Sequence, residues 1–79
     1  MEVETAEKIE RKVLEFLTAE RADLNWRVFQ EGDKHCKVYV KTTEVRRLLV
    51  VTIDDVDDVD DYVNELRIEL ARRLADLKL

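Results

Sequence analysis

The stretch DDVDDVDD, Asp54 to Asp61, sets six carboxylates and two valines in eight residues. Closely spaced carboxylates are what a divalent cation needs. A calcium loop alternates oxygen ligands, turns sharply at its sixth position and ends in a bidentate glutamate. Counted from Asp58, the third and twelfth positions are Asp60 and Glu69, but the fifth is Tyr62 and the sixth Val63. Counted from Asp54, the third position is already Val56. Neither register supplies the ligands, so no metal is expected. The same carboxylates suit a helix N-terminus, where unpaired N–H groups and the positive end of the dipole attract anions. Asp54 or Asp55 is the expected cap, and Arg72, Arg73 and Lys78 give the far end of that helix the matching polarity. Six aspartates exceed what one dipole needs, which leaves Asp57, Asp58 and Asp61 as a candidate docking surface for a basic partner.

His35 and Cys36 are the other residues with chemical potential, as a base beside a nucleophile. They are neighbours in a stretch that reads as a strand, so their side chains point to opposite faces. The expectation is a core cysteine and a surface histidine. The chain has no serine, no glycine-rich phosphate loop and no paired-carboxylate cleft. It is expected to be non-enzymatic and to hold no cofactor.

The 79 residues allow one compact domain, 1–79, and no second core. Hydrophobic residues at 46% and charged residues at 42% are a globular balance rather than a disordered one. A formal net charge of −5 favours solubility and argues against nucleic acid or anionic membrane as a partner over the whole surface. No apolar run is long enough to span a membrane, and MEVETAEKIERK has no signal-peptide core, so a natural chain of this kind is expected in the cytoplasm. A single cysteine excludes an internal disulfide, and one cysteine with one histidine excludes a Cys/His zinc site within the chain. Zero prolines and one glycine are unusual beside averages of roughly 5% and 7%. Either an economy of loops or a computationally idealised sequence accounts for them.

The elements that must position these residues follow from periodicity. Val3, Ala6, Ile9, Val13, Phe16 and Leu17 step by three and four, predicting a helix from Val3 to about Asp23. Asn25 is the expected left-handed residue after its end. Trp26 to Gln30 and His35 to Thr42 alternate and are rich in aromatic and β-branched types, as strands require. Glu31-Gly32-Asp33-Lys34 is the turn between them. Val45 to Ile53 is a third strand, after a turn at Thr43-Glu44 that no glycine marks. Val56, Val59, Val63, Leu66, Leu70, Leu74 and Leu77 predict a helix from about Asp57 to Leu77. The fold class is therefore α+β, in the order α-β-β-β-α: a three-stranded antiparallel meander with both helices packed on one face.

Such a sheet leaves its other face free. With Trp26, Val28, Cys36, Val38, Val40, Leu49, Val51 and Ile53 beneath the helices, the opposite face presents Arg27, Phe29, Lys37, Tyr39, Lys41, Arg46, Leu48, Val50 and Thr52. Residues 25–53 hold six Lys and Arg against three Asp and Glu. Aromatics among cations can be cross-strand pairs of an ordinary sheet surface, part of a dimerisation patch, or a platform for stacking bases, in that order of expectation. Arg27, Phe29, Lys37, Tyr39 and Lys41 are the candidate interaction residues here.

The element order, together with Gly32, His35 and Tyr39 in GDKHCKVY, resembles the double-stranded RNA-binding domain. In that family a Gly-Pro-x-His turn between the first two strands is followed by an aromatic four residues on. Asp33 stands in place of the proline, and Trp26 lies near the position of the first-strand aromatic. The resemblance implies the fold and, for RNA contact, His35 alone. Where the family carries a basic cluster at the start of its second helix, this chain has Asp57 to Asp61, which would repel phosphate.

The residues thus describe a small non-catalytic α+β domain, resembling an idealised, computationally designed scaffold without biological activity, whose partner is none or a second copy. A protein-interaction or self-associating domain is the alternative, and a divergent duplex-RNA module ranks below both. Nucleic acid is expected not to be a partner, nor is a membrane. The division into wet and dry helix faces is testable: Val59→Asp should cost about 2 kcal/mol in urea unfolding, while Asp58→Asn should stay within about 0.5 kcal/mol. Equal losses would contradict the division.

Overall fold

The computed structural model describes residues 2–54 and 56–77. It contains α1 (Val3–Glu20), β1 (Asn25–Glu31), β2 (His35–Lys41), β3 (Arg46–Thr52) and α2 (Val59–Asp76). The strands form one antiparallel sheet in the order β1-β2-β3, with β2 central. Both helices lie on the same face of the sheet, as the periodicities predict.

The register fixes that outcome. Trp26 faces Val40, Val28 faces Val38 and Gln30 faces Cys36; on the other side Cys36 faces Val51 and Val38 faces Leu49. All of these share one parity, so all point to the helices. Ile9, Val13 and Leu17 of α1 and Tyr62, Val63, Leu66 and Leu70 of α2 close over Trp26, Cys36, Val38, Val40 and Val51, and among the described residues no polar or charged one is buried with them. Val28, Leu49, Ile53, Val56, Val59, Leu74 and Leu77 pack around this centre, half-buried. Val3, expected on the stripe, is the first residue of α1 and is 72% exposed.

Each connection has its own physical cause. Helix α1 ends at Glu20, short of the expected Asp23. The Arg21 carbonyl accepts the Trp26 indole N–H (3.0 Å) and the Leu24 N–H (3.3 Å), and the Arg21 guanidinium grips Asp23 through two bonds of 2.9 Å. Asn25 is accordingly not a helix terminator: it is the first residue of β1, opposite Lys41. Glu31 and His35 pair across the first turn, where Gly32 takes φ 63°, a left-handed conformation that costs glycine nothing. The second turn has no glycine because a threonine hydroxyl replaces it. Thr42 Oγ1 accepts the N–H groups of Val45 (3.0 Å) and Glu44 (3.3 Å), while the Thr42 N–H reaches the Val45 carbonyl (2.8 Å).

At the other end, α2 begins at Val59 with Asp58 as its N-cap residue, and the Asp58 side chain makes no capping bond. Asp54, one of the two expected caps, lies upstream and pairs with Lys34 at 3.3 Å instead; Asp55, the other, lies outside the described residues. Asp57 and Asp58 therefore precede the helix, and its first turn carries Asp60 and Asp61. The stripe wins over the cap: Val59 and Val63 must meet the core, and that sets where the turns can start.

Candidate functional site

Burial of one parity leaves the other in water. On the outer face Phe29, Tyr39, Leu48 and Val50 are 41–50% exposed. In register, Arg27, Tyr39 and Leu48 form one row across the sheet, and Phe29, Lys37 and Val50 form the next. The Phe29 and Tyr39 rings meet edge to face, with centroids 5.7 Å apart and planes at 83°. This is the arrangement favoured by the ring quadrupoles. Lys37 pairs with Glu31, whose hydrogen bond and charge raise the ammonium's pKa and lower the carboxyl's. His35 sits at the turn end of the same face, with Nδ1 3.0 Å from Thr52 Oγ1.

The opposite end of this face is basic. Lys41 and Arg46 stand directly across from each other. Like charges so placed destabilise a sheet by a few tenths of a kcal/mol or more. Arg27, Lys41, Arg46 and Arg47 line an open groove of about 780 Å³ together with Asn25, Trp26, Phe29, Tyr39 and Val40. No acidic residue lines it among the described residues. Among the described residues none of the four cations has an ion-pair partner.

Of the expected interaction residues, then, Arg27, Phe29, Lys37, Tyr39 and Lys41 do share one surface, while Asp57, Asp58 and Asp61 lie elsewhere. Asp57 and Asp58 line a separate groove of about 300 Å³ with Glu2, Thr5, Ile9, Asp33, Val56, Val59 and Tyr62. A second groove, of about 540 Å³, brings Asp57 and Asp58 together with Asp61, beside Val56, Asn64 and Glu65. Among the described residues no three His, Cys, Asp or Glu side chains are grouped so as to hold a metal ion. No protein-family model, curated protein or solved structure matches this chain. What it does must be read from its own surfaces.

Two features escaped the sequence reading. Arg47 has the parity of the buried set, yet it is exposed and lines the basic groove, at the second residue of β3 and opposite the buried Val40. An arginine at a core-parity position is the signal that this position of β3 lies outside the core. The second is a polar tie between three elements. Glu10 of α1 accepts the Gln30 backbone N–H (2.9 Å) on the edge strand, and the Gln30 amide donates to the Tyr62 hydroxyl of α2 (2.6 Å). Tyr62 is nearly fully buried, and desolvation raises its pKa against the lowering effect of Gln30. Its place three residues after Val59 and four before Leu66 put it on the stripe from the start.

Cys36 is fully buried on the helix side and His35 exposed on the outer face, so the neighbours diverge as alternation requires. Burial, aided by the negative charge of Glu10, pushes the Cys36 thiol up to about 12 from an ordinary 9.0. A raised acid pKa means the unfolded state releases its proton first, so Cys36 contributes stability below pH 9 that is lost as pH climbs toward 12. In chemical denaturation the wild type should lose stability relative to Cys36→Val across that window, and parallel pH profiles would show that the thiol is not desolvated.

Proposed function

We propose that this chain is a non-catalytic binding module whose helices and buried sheet face are scaffold and whose outer sheet face holds an extended ligand. The observation that carries the reading is the Lys41–Arg46 pair at the end of an open, half-apolar face: two cations directly opposed, with no acid among the described residues of the groove they line. A chain shaped only for stability would set an acid at one of those two positions.

The absence of catalysis draws support from the same geometry. The buried thiol is held protonated, the histidine is on the opposite face, and the sequence offers no serine. Self-association through this face is favoured less. Three strands about 4.8 Å apart and seven residues long at about 3.3 Å each give roughly 300 Å² of platform. Even doubled for side-chain relief, that falls short of the ~800 Å² per partner of a stable dimer. Extended ligands need less, since they run along the strands or across them.

A second reading, the idealised scaffold with no partner, draws on the lone Gly32 and the absence of proline. A duplex-RNA module draws on the element order and the Gly32/His35/Tyr39 spacing, but the groove beside the start of α2 is lined by Glu2, Asp33, Asp57 and Asp58.

Leu48→Thr with Val50→Thr discriminates. A binding face is dispensable to the fold, so the double variant should keep its unfolding free energy within about 1 kcal/mol, and light scattering should report a monomer for wild type and variant at every concentration. A larger loss would make the face structural, and a stable wild-type dimer would assign it to a second copy.

A further inference from the structure

Resting on that reading, we infer that the ligand of the outer face is single-stranded nucleic acid, with phosphates held among Arg27, Lys41 and Arg46 of that face and Arg47, which lines the same groove from the helix-side parity of β3, and a base stacked at the Phe29/Tyr39 pair.

Charge selects a polyanion. The four cations share one groove, lack ion-pair partners among the described residues, and include a directly opposed like-charge pair. The nearby acids do not cancel them: Asp23 is bound to Arg21, and neither it nor Glu44 lines the groove. An anion lodged there would relieve the Lys41–Arg46 repulsion, so the strain in the free protein is recovered on binding.

The rings narrow the class. Phe29 and Tyr39 are fixed against each other at 5.7 Å and remain 48% and 41% exposed. Rings already ordered lose little entropy when a planar ligand stacks on them. Every base offers such a plane, and stacking beside a cationic track is how single strands are held without sequence preference. An acidic peptide would use the cations and leave the rings idle. A duplex hides its base planes and needs a wider basic surface than this end of the sheet provides. The acids elsewhere, with a net charge of −5, discourage contact by any other face.

The test is fluorescence anisotropy with the full chain and a labelled mixed-sequence single strand of about 12 nucleotides, within the usual span of such sites. Binding should weaken as salt rises from about 50 to about 200 mM, with a log–log slope near −3 for four phosphate contacts, falling to about −1.4 in Lys41→Gln/Arg46→Gln. That double variant should also unfold at higher urea than wild type, because the repulsion is gone. Tyr39→Thr should weaken binding roughly tenfold or more with little change in slope. Absence of binding at the lowest salt overturns the inference. So does equal competition by polyglutamate or by duplex, or a Tyr39→Thr variant that binds like wild type. Those outcomes leave the outer face as a binding surface for another ligand, whereas a wild-type dimer or a destabilised Leu48→Thr/Val50→Thr protein removes the surface itself.

Discussion

Two periodicities meet in the core and fix everything outside it. Helices α1 and α2 each carry apolar residues at steps of three and four, and β1, β2 and β3 carry them at steps of two. Only one arrangement buries all five sets at once: both stripes on the same face of the sheet, with Leu66, Leu70, Ile9, Val13 and Leu17 against Cys36, Val38, Val40 and Val51. Each fully buried side chain of this size stabilises the fold by about 1.5–3 kcal/mol relative to exposure. A one-residue slip of any strand would reverse its faces and lose its share of that sum. The outer face is thus a consequence of the inner one. What occupies it is free to serve some other end.

The charges make the contrast plain. Lys12–Asp60 links the helices at 3.3 Å, Lys34–Asp54 ties the first turn to the segment after β3, and Glu69 takes both Arg72 and Arg73 along α2. Exposed pairs like these are each worth a fraction of a kcal/mol, so they orient segments rather than hold the fold. Among the described residues the four cations at the open end of the sheet have no ion-pair partner, and neither do Lys8, Arg11 and Arg67 on the helices. The aspartates before and within the first turn of α2 do not answer the sheet's cations, since they border other grooves.

The fold was legible in the residues wherever periodicity speaks. Element order, the buried parity of each strand and the helix side of the sheet all follow from alternation and from the Leu and Val stripes. Less legible were the ends of elements, because these depend on side chains that the pattern does not count. Trp26 and Leu24 bind the Arg21 carbonyl and stop α1 early; the Thr42 hydroxyl makes a turn without glycine. The cap at Asp54 or Asp55 failed for a related reason: a run of similar acids offers no local mark of which one begins the helix, and the core contact of Val59 decides it. At the candidate surface, alternation placed Arg27, Phe29, Lys37, Tyr39 and Lys41 together. It hid Arg47, whose parity assigns it to the core although it is exposed at the second residue of β3.

The burial of one sheet face and the wetting of the other is the claim beneath all of this, and solvent paramagnetic relaxation in NMR tests it most directly. With a soluble paramagnetic probe added, side-chain signals of Phe29, Tyr39, Leu48 and Val50 should broaden strongly while those of Val38, Val51, Leu66 and Leu70 stay sharp. Protection of the first group, or attenuation of the second, would contradict the account.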